Sequence, residues 1–483
     1  MTTERKNELI NLAKTHPMWK YFYELTQIPR GSGDMEKVSD YIVSFAKEHN
    51  LKFIQDEAKN VIIFKEGSKG YEDKDPVILQ GHLDMVCQKE DGKEIDFKKD
   101  GLSVYIDNGY VTADGTTLGA DNGIAVGMMM AILEDQKISH PPIEAVFTTD
   151  EEIGMLGAVK LPFDKLKGKR MINIDSEDES VVTVSCAGGS DFGIEVPIER
   201  EVKKGNILKL TVKGLKGGHS GVEINSGREN ANALMARILN HLSEISDFKI
   251  ISVSGGDKGN AIPRLSEAEV LVSKDVENEL LKYSEIIKKE ISSHEEEFTF
   301  EIENLGVLKR EVIKTPDINS LIYLLLMAPT GVVSMSQEIE GLVETSLNLG
   351  ILKTEEDKMI LHFALRSNKQ SALDFLEDKL KVYAKCVPCE IKTFGHYPPW
   401  EYRENSSLEK LYIEKYTEKT GKDIRVEAIH AGLECGVFAS KIKDFDCISV
   451  GPKMHDIHTP KERLSIESSE NLYEVILSVL AQI

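Results

Sequence analysis

The chain has 483 residues, of which 41% are hydrophobic and 29% charged, and its formal net charge is -22. This composition is typical of a soluble globular protein, and the length predicts two or three domains of about 100 to 200 residues each. Acidic residues outnumber basic ones, whereas binding to a phosphate backbone requires a basic surface. Nucleic acid is therefore excluded as an expected partner.

Targeting and membrane segments are not expected in this chain. Its first residues carry no apolar signal run, and the longest apolar stretch, at 321–328, is far shorter than the ~20 residues of a spanning helix. Six cysteines in so long a chain do not form a disulfide framework, which favours a reducing cytoplasm. Cys386 and Cys389 form a CxxC pair without a second pair or a neighbouring histidine, and we assign it no function.

The first part of the chain alternates between helical and strand-like patterns. Helical patterns cover 36–49 and 122–136. Strand-like runs lie, in order, at 61–64, 76–80, 143–149 and 170–175. This alternation predicts an α/β fold with a mixed, mostly parallel sheet flanked by helices.

The middle of the chain has a different pattern, in which alternating strands accompany amphipathic helices such as 229–245 and 371–385. We therefore predict a separate α+β domain over residues 188–395, with its helices on one face of its sheet. After about residue 395, the alternation of helical and strand-like patterns that marks the first part of the chain returns. Residues 1–187 and 396–483 are predicted to form one domain that the middle domain interrupts.

Acidic residues and histidines close several of the strand-like runs. His82 and Asp84 follow one run, Glu151 and Glu152 follow another, and Asp175 ends a third. Ligand sites in such sheets form at the carboxyl ends of the strands, so these side chains are expected to converge. Imidazoles and carboxylates suit zinc, manganese or cobalt, and a spare carboxylate can activate a metal-bound water. The pattern predicts a metallohydrolase.

Two more residues extend this set. Asp121 precedes a helical run, where its carboxylate can cap the helix, reach a metal, or bridge two ions through its two oxygens. His458, in the last segment, is a second histidine donor. Asp84 lies two residues after His82 in an extended segment, so it can accept the far N–H of a metal-bound imidazole.

We interpret Glu151 and Glu152 as having different roles, because adjacent side chains at a strand end point in different directions. Glu152 is predicted to bind a metal. Glu151 is predicted to be the general base, which takes a proton from the bridging water and later gives it to the departing amine.

Six motifs in order, QGHLDMV, GTTLGADNG, TTDEEIGMLGA, INIDSED, GGHSG and a late HTP, resemble the co-catalytic zinc aminopeptidase and aminoacylase clan. Within it, the chain most resembles the aminoacyl-histidine dipeptidases, also called Xaa-His or β-alanyl-histidine dipeptidases, over nearly its whole length. The resemblance implies a phosphorylase/hydrolase-like zinc peptidase fold with an inserted lid domain. It also implies two divalent metal ions, zinc first, with manganese or cobalt as alternatives.

The same resemblance implies a role for each ligand residue. Asp121 bridges the two ions, with His82 and Asp175 on one ion and Glu152 and His458 on the other. His455 is an alternative candidate for the ligand role of His458. The TP dipeptide that follows His458 matches the family pattern and favours His458. Asp84 is implied to be the orienting carboxylate and Glu151 the general base.

The resemblance further implies substrate contacts. His219 of GGHSG reaches from the lid to the scissile carbonyl and stabilises the oxyanion. Arg366 and Asn260 bind the substrate carboxylate, for which the arginine fork is well suited. Gly432 and Glu434, in HAGLECG, contact the substrate backbone.

The predicted function is metal-dependent hydrolysis of dipeptides, particularly Xaa-His peptides including β-alanyl-histidine. The alternatives are an N-acyl amino acid deacylase or a tripeptidase of the same clan, and, in a different class, a non-catalytic metal-binding scaffold. The middle region, roughly 200 residues long, favours the dipeptidase branch. The physiological metal, a homodimer, and whether His219 acts in its own chain or in a partner are left open by the sequence.

Overall fold

The computed structural model describes residues 10–14, 16–314 and 318–483. In chain order, the helices span Pro17–Thr26 (α1), Glu36–Glu48 (α2), Ala120–Glu134 (α3), Leu156–Lys160 (α4), Ala231–Ile245 (α5), Glu277–Ile291 (α6), Ile318–Leu326 (α7), Gln370–Ala384 (α8), Ser407–Thr420 (α9), Glu434–Lys441 (α10) and Ile466–Leu480 (α11). A turn of 3-10 helix covers Phe163–Lys165.

The strands follow the same order. They span Lys52–Gln55 (β1), Val61–Lys65 (β2), Val77–His82 (β3), Val104–Asp107 (β4), Tyr110–Ala113 (β5), Ile143–Thr148 (β6), Arg170–Asn173 (β7), Val181–Cys186 (β8), Gly188–Pro197 (β9), Glu199–Lys213 (β10), Gly218–His219 (β11), Phe248–Gly255 (β12), Ala261–Ile262 (β13), Ser266–Val272 (β14), Thr299–Lys314 (β15), Gly331–Met335 (β16), Val343–Thr354 (β17), Lys358–Ser367 (β18), Glu390–Tyr397 (β19), Arg425–Ile429 (β20), Asp446–Ser449 (β21), Met454–His455 (β22) and Arg463–Ser465 (β23).

These elements form two compact units. The first takes its described residues from Met1–Cys186, Tyr402–Ala428 and Leu433–Ile483. The second takes its described residues from Ala187–Glu401 and Ile429–Gly432. The division into a catalytic domain and a lid domain stays a prediction.

The first unit is built on an eight-stranded mixed sheet in the order β1-β2-β6-β3-β7-β21-β8-β20. Its centre, β6-β3-β7-β21, is parallel, whereas the pairs β1–β2, β2–β6 and β21–β8 are antiparallel. Strands β3 and β6 are buried along their whole length, as expected for parallel strands covered on both faces. The predicted α/β class with a mixed, mostly parallel sheet is confirmed.

Helix α3 fills the space against this sheet. It is buried from Gly123 to Leu133, which explains why its pattern is apolar all round rather than amphipathic. A Cβ at Gly127 would lie 2.8 Å from the carbonyl oxygen of Met18, so glycine permits the close approach of α1. Among the described residues, no helix combines the length and the apolar character that a bilayer span requires.

The predicted helix cap at Asp121 is wrong. Asp121 and Asn122 have non-helical backbone angles, and the residue that precedes the helix is Gly119 in a left-handed conformation. The Asp121 carboxylate faces His82 and His458 instead of the helix N–H groups.

The second unit contains a nine-stranded antiparallel sheet in the order β15-β10-β14-β12-β17-β18-β9-β19, with β16 added on β17. Helices α5, α6, α7 and α8 contribute to a single large apolar cluster with this sheet. Burial on β14 alternates residue by residue, as expected of a strand with one covered face. The predicted α+β character is confirmed.

Two strands of this unit are much longer than their patterns predict. The strand-like runs in the sequence cover only 207–214 and 298–304, whereas the strands are Glu199–Lys213 and Thr299–Lys314. Their extra residues pair with each other, as Gly205 with Leu308, and many are exposed and charged. Because ladder hydrogen bonds rather than burial define these extensions, hydrophobic alternation does not reveal them.

Candidate metal centre

In the first unit, neighbouring strand ends bring the predicted ligand residues together. His82 ends β3, the Glu151–Glu152 doublet follows β6, and Asp175 follows β7. Strand β3 lies between β6 and β7 in parallel register, so the three carboxyl ends are side by side. Residues that are distant in sequence therefore meet at one edge of the sheet.

Three sets of donor atoms in this cluster are compact enough to hold a metal ion, since their atoms lie within 4.8 Å of one another. The sets are His82, Asp121 and Asp175; Asp121, Glu152 and His458; and His82, Glu151 and Glu152. The first two sets share Asp121, which is the arrangement that a carboxylate bridging two ions requires.

The distances place Asp121 between the two histidines. Its Oδ1 lies 3.0 Å from Nε2 of His82, and its Oδ2 lies 3.1 Å from Nε2 of His458. Oε1 of Glu152 lies 3.0 Å from the same nitrogen of His458. Oδ1 of Asp175 lies 3.5 Å from Nε2 of His82. The two imidazoles thus present their Nε2 atoms to opposite oxygens of one carboxylate.

The fully buried Asp84 holds several parts of the cluster in place. Its Oδ1 lies 3.3 Å from Nδ1 of His82 and accepts the backbone N–H of Glu151 at 3.0 Å. Its Oδ2 accepts the backbone N–H of Glu152 at 3.2 Å and the hydroxyl of Ser32 at 2.8 Å. One carboxylate thus orients an imidazole through the nitrogen that faces away from the cluster and also fixes the glutamate turn.

The cluster is electrostatically suited to cations. Burial, followed by the charges of nearby carboxylates, raises the pKa of Glu151 well above its usual range. Burial likewise raises the pKa of Asp175 to about 6. Hydrogen bonds to Asp121 and Glu152 raise the pKa of His458 to about 10. Carboxylates outnumber imidazoles here, and divalent ions would balance this buried negative charge.

Asn122 connects two of the strand ends by hydrogen bonds. The sequence did not indicate this role. Its Oδ1 accepts the backbone N–H of His82 at 3.1 Å, and its Nδ2 donates to the carbonyl of Ile174 at 2.6 Å. A Cβ at Gly81 would lie 2.4 Å from that Oδ1, which explains the glycine before His82. The loop that carries Asp121 is thereby attached to the loops that carry His82 and Asp175.

Glu462 is a second residue that the sequence analysis missed. It is 2% exposed, and its carboxylate accepts four consecutive backbone N–H groups at 2.7 to 3.4 Å. The donors are Leu118, Gly119, Ala120 and Asp121. The loop that presents Asp121 is therefore held by a buried charge from the far end of the chain.

Arg30 supports the same loop from the other side. Its guanidinium is 2% exposed and donates to the carbonyls of Leu83, Asp84 and Gly119. Nothing in the hydrophobic pattern around Arg30 or Glu462 distinguishes them from ordinary surface charges. Their burial depends on contacts between segments that are remote in sequence.

Replacing Glu462 by Gln is expected to weaken metal binding about 10- to 100-fold, because the amide presents one carbonyl oxygen where two carboxylate oxygens accept N–H groups. Competition with a chromogenic chelator measures the affinity, and the melting temperature reports folding. Glu467→Gln, an exposed position in the first turn of α11, is the matched control. Equal metal affinity in both variants would show that Glu462 does not position the centre.

The second unit brings three of the predicted substrate-binding residues near one another. His219 in β11 pairs with Ala261 in β13, and the backbone carbonyl of Asn260 accepts the backbone N–H of Ser220 at 2.9 Å. A Cβ at Gly221 would lie 2.9 Å from Cε1 of His219 and 3.1 Å from Nε of Arg366. The last glycine of GGHSG therefore allows the imidazole and the guanidinium to approach the same backbone.

His219 is held in a defined tautomer. Its Nδ1 accepts the backbone N–H groups of Gly221 and Val222 at 3.1 and 3.2 Å. This leaves the ring proton on Nε2 of the neutral imidazole. Burial and then the charge of Arg366 lower the pKa of His219, which favours that neutral form. The ring is thus prepared to donate one hydrogen bond from Nε2.

The remaining predicted contacts differ in their surroundings. Arg366 is 9% exposed and donates to the hydroxyl of Tyr397 at 2.9 Å, while its Nε has no partner among the described residues. The Asn260 side chain is exposed, and Gly432 lies half-buried in the second unit. His455 packs its ring 5.8 Å from that of Tyr110 and belongs to none of the donor sets above.

The substrate contact of Glu434 stays a prediction. This side chain is fully buried in the first unit, where its Oε2 accepts from Nε2 of Gln80 at 2.5 Å and from the Thr148 hydroxyl at 2.6 Å. Burial raises the pKa of Glu434 to about 8. The side chain is bonded to the strands beneath the metal-binding loops through Oε2, while its Oε1 has no hydrogen-bond partner among the described residues.

The fold and the cluster define the class of the protein as an α/β enzyme with a candidate dinuclear metal centre. The Peptidase family M20/M25/M40 matches residues 78–482, and the chain belongs to this family. The resemblance that the six motifs indicated is confirmed.

Individual relatives agree with this placement. The chain is 37% identical over 474 residues to the cytosol non-specific dipeptidase of Escherichia coli (strain K12), covering 97% of each chain. It superposes on the crystal structure of aminoacylhistidine dipeptidase from Vibrio alginolyticus with a TM-score of 0.89 at 36% identity, covering 97% of this chain and 96% of that one. Aminopeptidase PepT from Bacillus cereus, at 14% identity and a TM-score of 0.57 over 96% and 98% of the two chains, shares the fold.

Proposed function

We propose that this protein is a cytoplasmic, metal-dependent dipeptidase that hydrolyses the peptide bond of unblocked dipeptides, including Xaa-His peptides such as β-alanyl-histidine. The observation that carries the proposal is the Asp121 carboxylate, whose two oxygens face His82 and His458. Similarity to a cytosol non-specific dipeptidase and to an aminoacylhistidine dipeptidase supports the substrate class and the compartment.

The donor set fits two divalent ions, with zinc proposed first and manganese or cobalt as the alternatives. His82 and Asp175 would hold one ion, Glu152 and His458 the other, and Asp121 both. When bound, such ions polarise a scissile carbonyl and lower the pKa of a shared water.

The protein's own groups would then move the protons. Glu151, whose backbone N–H is fixed by Asp84, is proposed to accept the proton of the attacking water and to return it to the leaving amine. His219 is proposed to donate its Nε2–H to the developing oxyanion. Arg366 and Asn260 are proposed to bind the substrate carboxylate, and Gly432 the substrate backbone.

The proposal is tested by measuring metal content and peptide hydrolysis on the same preparation before and after chelation. The substrate panel contains unblocked dipeptides, tripeptides and N-acetylated amino acids. We expect about two ions per chain and preferential cleavage of dipeptides, with loss on chelation and recovery on adding zinc. Preference for N-acetylated amino acids or tripeptides would favour the alternative enzymes of the clan. Bound metal without hydrolysis would favour a scaffold.

Replacing His219 by Ala is expected to lower kcat about 10²- to 10³-fold, the range for loss of one oxyanion donor, with metal content unchanged. Steady-state kinetics and elemental analysis measure the two quantities. His241→Ala in α5 of the same unit is the control, because His241 stacks on Tyr283, away from His219 in the sequence. Loss of metal in the His219 variant would contradict its proposed role.

A homodimer is proposed separately and tested by light scattering.

A further inference from the structure

Asn348 is a polar residue in the interior of the second unit. It lies in β17 between two apolar neighbours, Leu347 and Leu349, and its side chain is fully buried. A buried amide costs folding free energy unless its donors and its acceptor find hydrogen-bond partners. The partners of Asn348 therefore indicate what this polar side chain does.

The Asn348 amide donates both of its N–H groups to one loop. Nδ2 donates to the backbone carbonyl of Gly259 at 2.9 Å and to that of Ala261 at 2.8 Å. The residue between these two acceptors is Asn260, whose side chain is exposed. An amide has two N–H donors in a fixed plane, so both are used to hold the backbone on either side of Asn260.

The oxygen of the amide connects this loop to a helix. Oδ1 of Asn348 accepts from Nδ2 of Asn230 at 3.2 Å. Asn230 is 5% exposed and is the N-cap of α5, where its Oδ1 accepts the backbone N–H of Asn232 at 2.9 Å. Helix α5 belongs to the large apolar cluster of the unit. The loop at Asn260 is thus joined to the core through two buried amides.

The loop also packs closely on β17 next to Asn348. A Cβ at Gly350 would lie 2.5 Å from the carbonyl oxygen of Gly259, so glycine permits this approach. The pairing of β17 with β18 shifts in register between Leu349 and Ile351. Such irregularities change the direction of a strand or a side chain and are common beside functional sites.

We propose that Asn348 is a positioning residue for the C-terminal carboxylate of the substrate and that it acts through Asn260. The inference rests on the dipeptidase function proposed above, in which Asn260 binds that carboxylate. Ordering a loop at the moment of binding reduces affinity, whereas a loop that is already fixed avoids this loss. The Asn348 amide fixes the backbone of Asn260 before the substrate arrives.

His219 depends less on Asn348, although it pairs with Ala261. Its ring is oriented by two backbone N–H groups of its own loop, and its backbone N–H is donated to Oε2 of Glu223 at 2.8 Å. Loss of the Asn348 amide should therefore weaken the binding of the substrate carboxylate and leave the proposed oxyanion donor in place. We expect the change mainly in KM and only slightly in kcat.

The test compares alanyl-histidine with alanyl-histidine amide, which lacks the C-terminal charge, on metal-loaded protein. Asn348→Asp keeps the shape of the side chain but places an oxygen opposite the carbonyls of Gly259 and Ala261. We expect KM for alanyl-histidine to rise about tenfold, with kcat changed less than about threefold. The ratio of kcat/KM for the dipeptide to kcat/KM for its amide should also fall about tenfold.

A double variant shows whether the effect passes through Asn260. Asn260→Ala alone should lower the ratio, and adding Asn348→Asp should lower it no further, because residues that act through one contact are not additive. The matched control is Thr354→Val in the same strand. Thr354 exchanges two hydrogen bonds of 2.9 Å with the backbone of Val253, and their loss should leave the ratio unchanged.

The outcomes separate this inference from the function on which it rests. If the wild-type protein cleaves no dipeptide, the dipeptidase function fails and this role falls with it. If it cleaves alanyl-histidine, and the ratio is unchanged in Asn348→Asp or falls as far again in the double variant, the function stands and the positioning role is overturned.

A second variant decides if circular dichroism shows that Asn348→Asp is unfolded. Asn230→Ser keeps a residue that caps α5, but serine is too short to reach Asn348. We expect it to lower the ratio in the same direction by about threefold, as for loss of one neutral hydrogen bond. An unchanged ratio in this variant would overturn the positioning role.

Discussion

Replacement of Glu151 by Gln is expected to lower kcat about 10²- to 10⁴-fold, the range for loss of a general acid–base group, while the protein keeps its metal ions. The amide has nearly the shape of the carboxylate but cannot accept the proton. Glu151 lies within the donor cluster next to His82 and Glu152, and its backbone is fixed by Asp84, so the substitution leaves the surrounding geometry in place.

The neighbouring glutamate provides the sharpest comparison. Glu152→Gln should lose metal, because the Glu152 carboxylate contacts His458 in one of the donor sets. Elemental analysis and kcat, measured on both variants, distinguish a group that moves protons from one that binds a cation. A Glu151→Ala protein with its metals and full turnover would rule out the proposed base.

Replacement of Asp121 by Ala is expected to reduce bound metal below one ion per chain and to abolish measurable hydrolysis. The reason is geometric: Asp121 takes part in two donor sets, and its two oxygens face different histidines. Loss of this carboxylate therefore weakens both sites at once, whereas His458→Ala should weaken mainly one.

Metal content after exhaustive dialysis measures this effect, and the hydrolysis of a dipeptide is followed in parallel. Asp114→Ala is a suitable control, since Asp114 is half-exposed and pairs with Lys93 at the surface. Two ions retained in the Asp121 variant would contradict the bridging role. A simple unfolding effect is detected by comparing the melting temperatures of the Asp121 and Asp114 variants.

Much of the first unit was predictable because its signals are local. Apolar runs mark β3 and β6, and parallel strands place their carboxyl ends at one edge, so His82 and Glu152 could be expected to meet. Asp121 and His458 extended this set as a further carboxylate and a second histidine, and the family motifs then indicated the role of each without any knowledge of distances. Each of these residues is indicated by the pattern and the chemistry of its own local stretch of chain.

Other parts depend on contacts that no local pattern encodes. Glu462 and Arg30 resemble surface charges until the loops around them close. The carboxylate of Glu434 is buried by the strands beneath it, so a residue expected to touch substrate belongs to the interior. In each case the partner is a backbone group or a side chain from a remote segment, and hydrophobic periodicity carries no information about it.

The hydrogen bonds between Glu462 and the loop that ends at Asp121 join positions more than 340 residues apart. While the ribosome still holds the last segment, this loop lacks its acceptor, and His458 has not yet emerged. A nascent chain that lacks this segment therefore cannot form the donor set of Asp121, Glu152 and His458. The set that includes His458 can be completed only after synthesis has passed residue 462, so this part of the candidate metal centre forms late in the making of the chain.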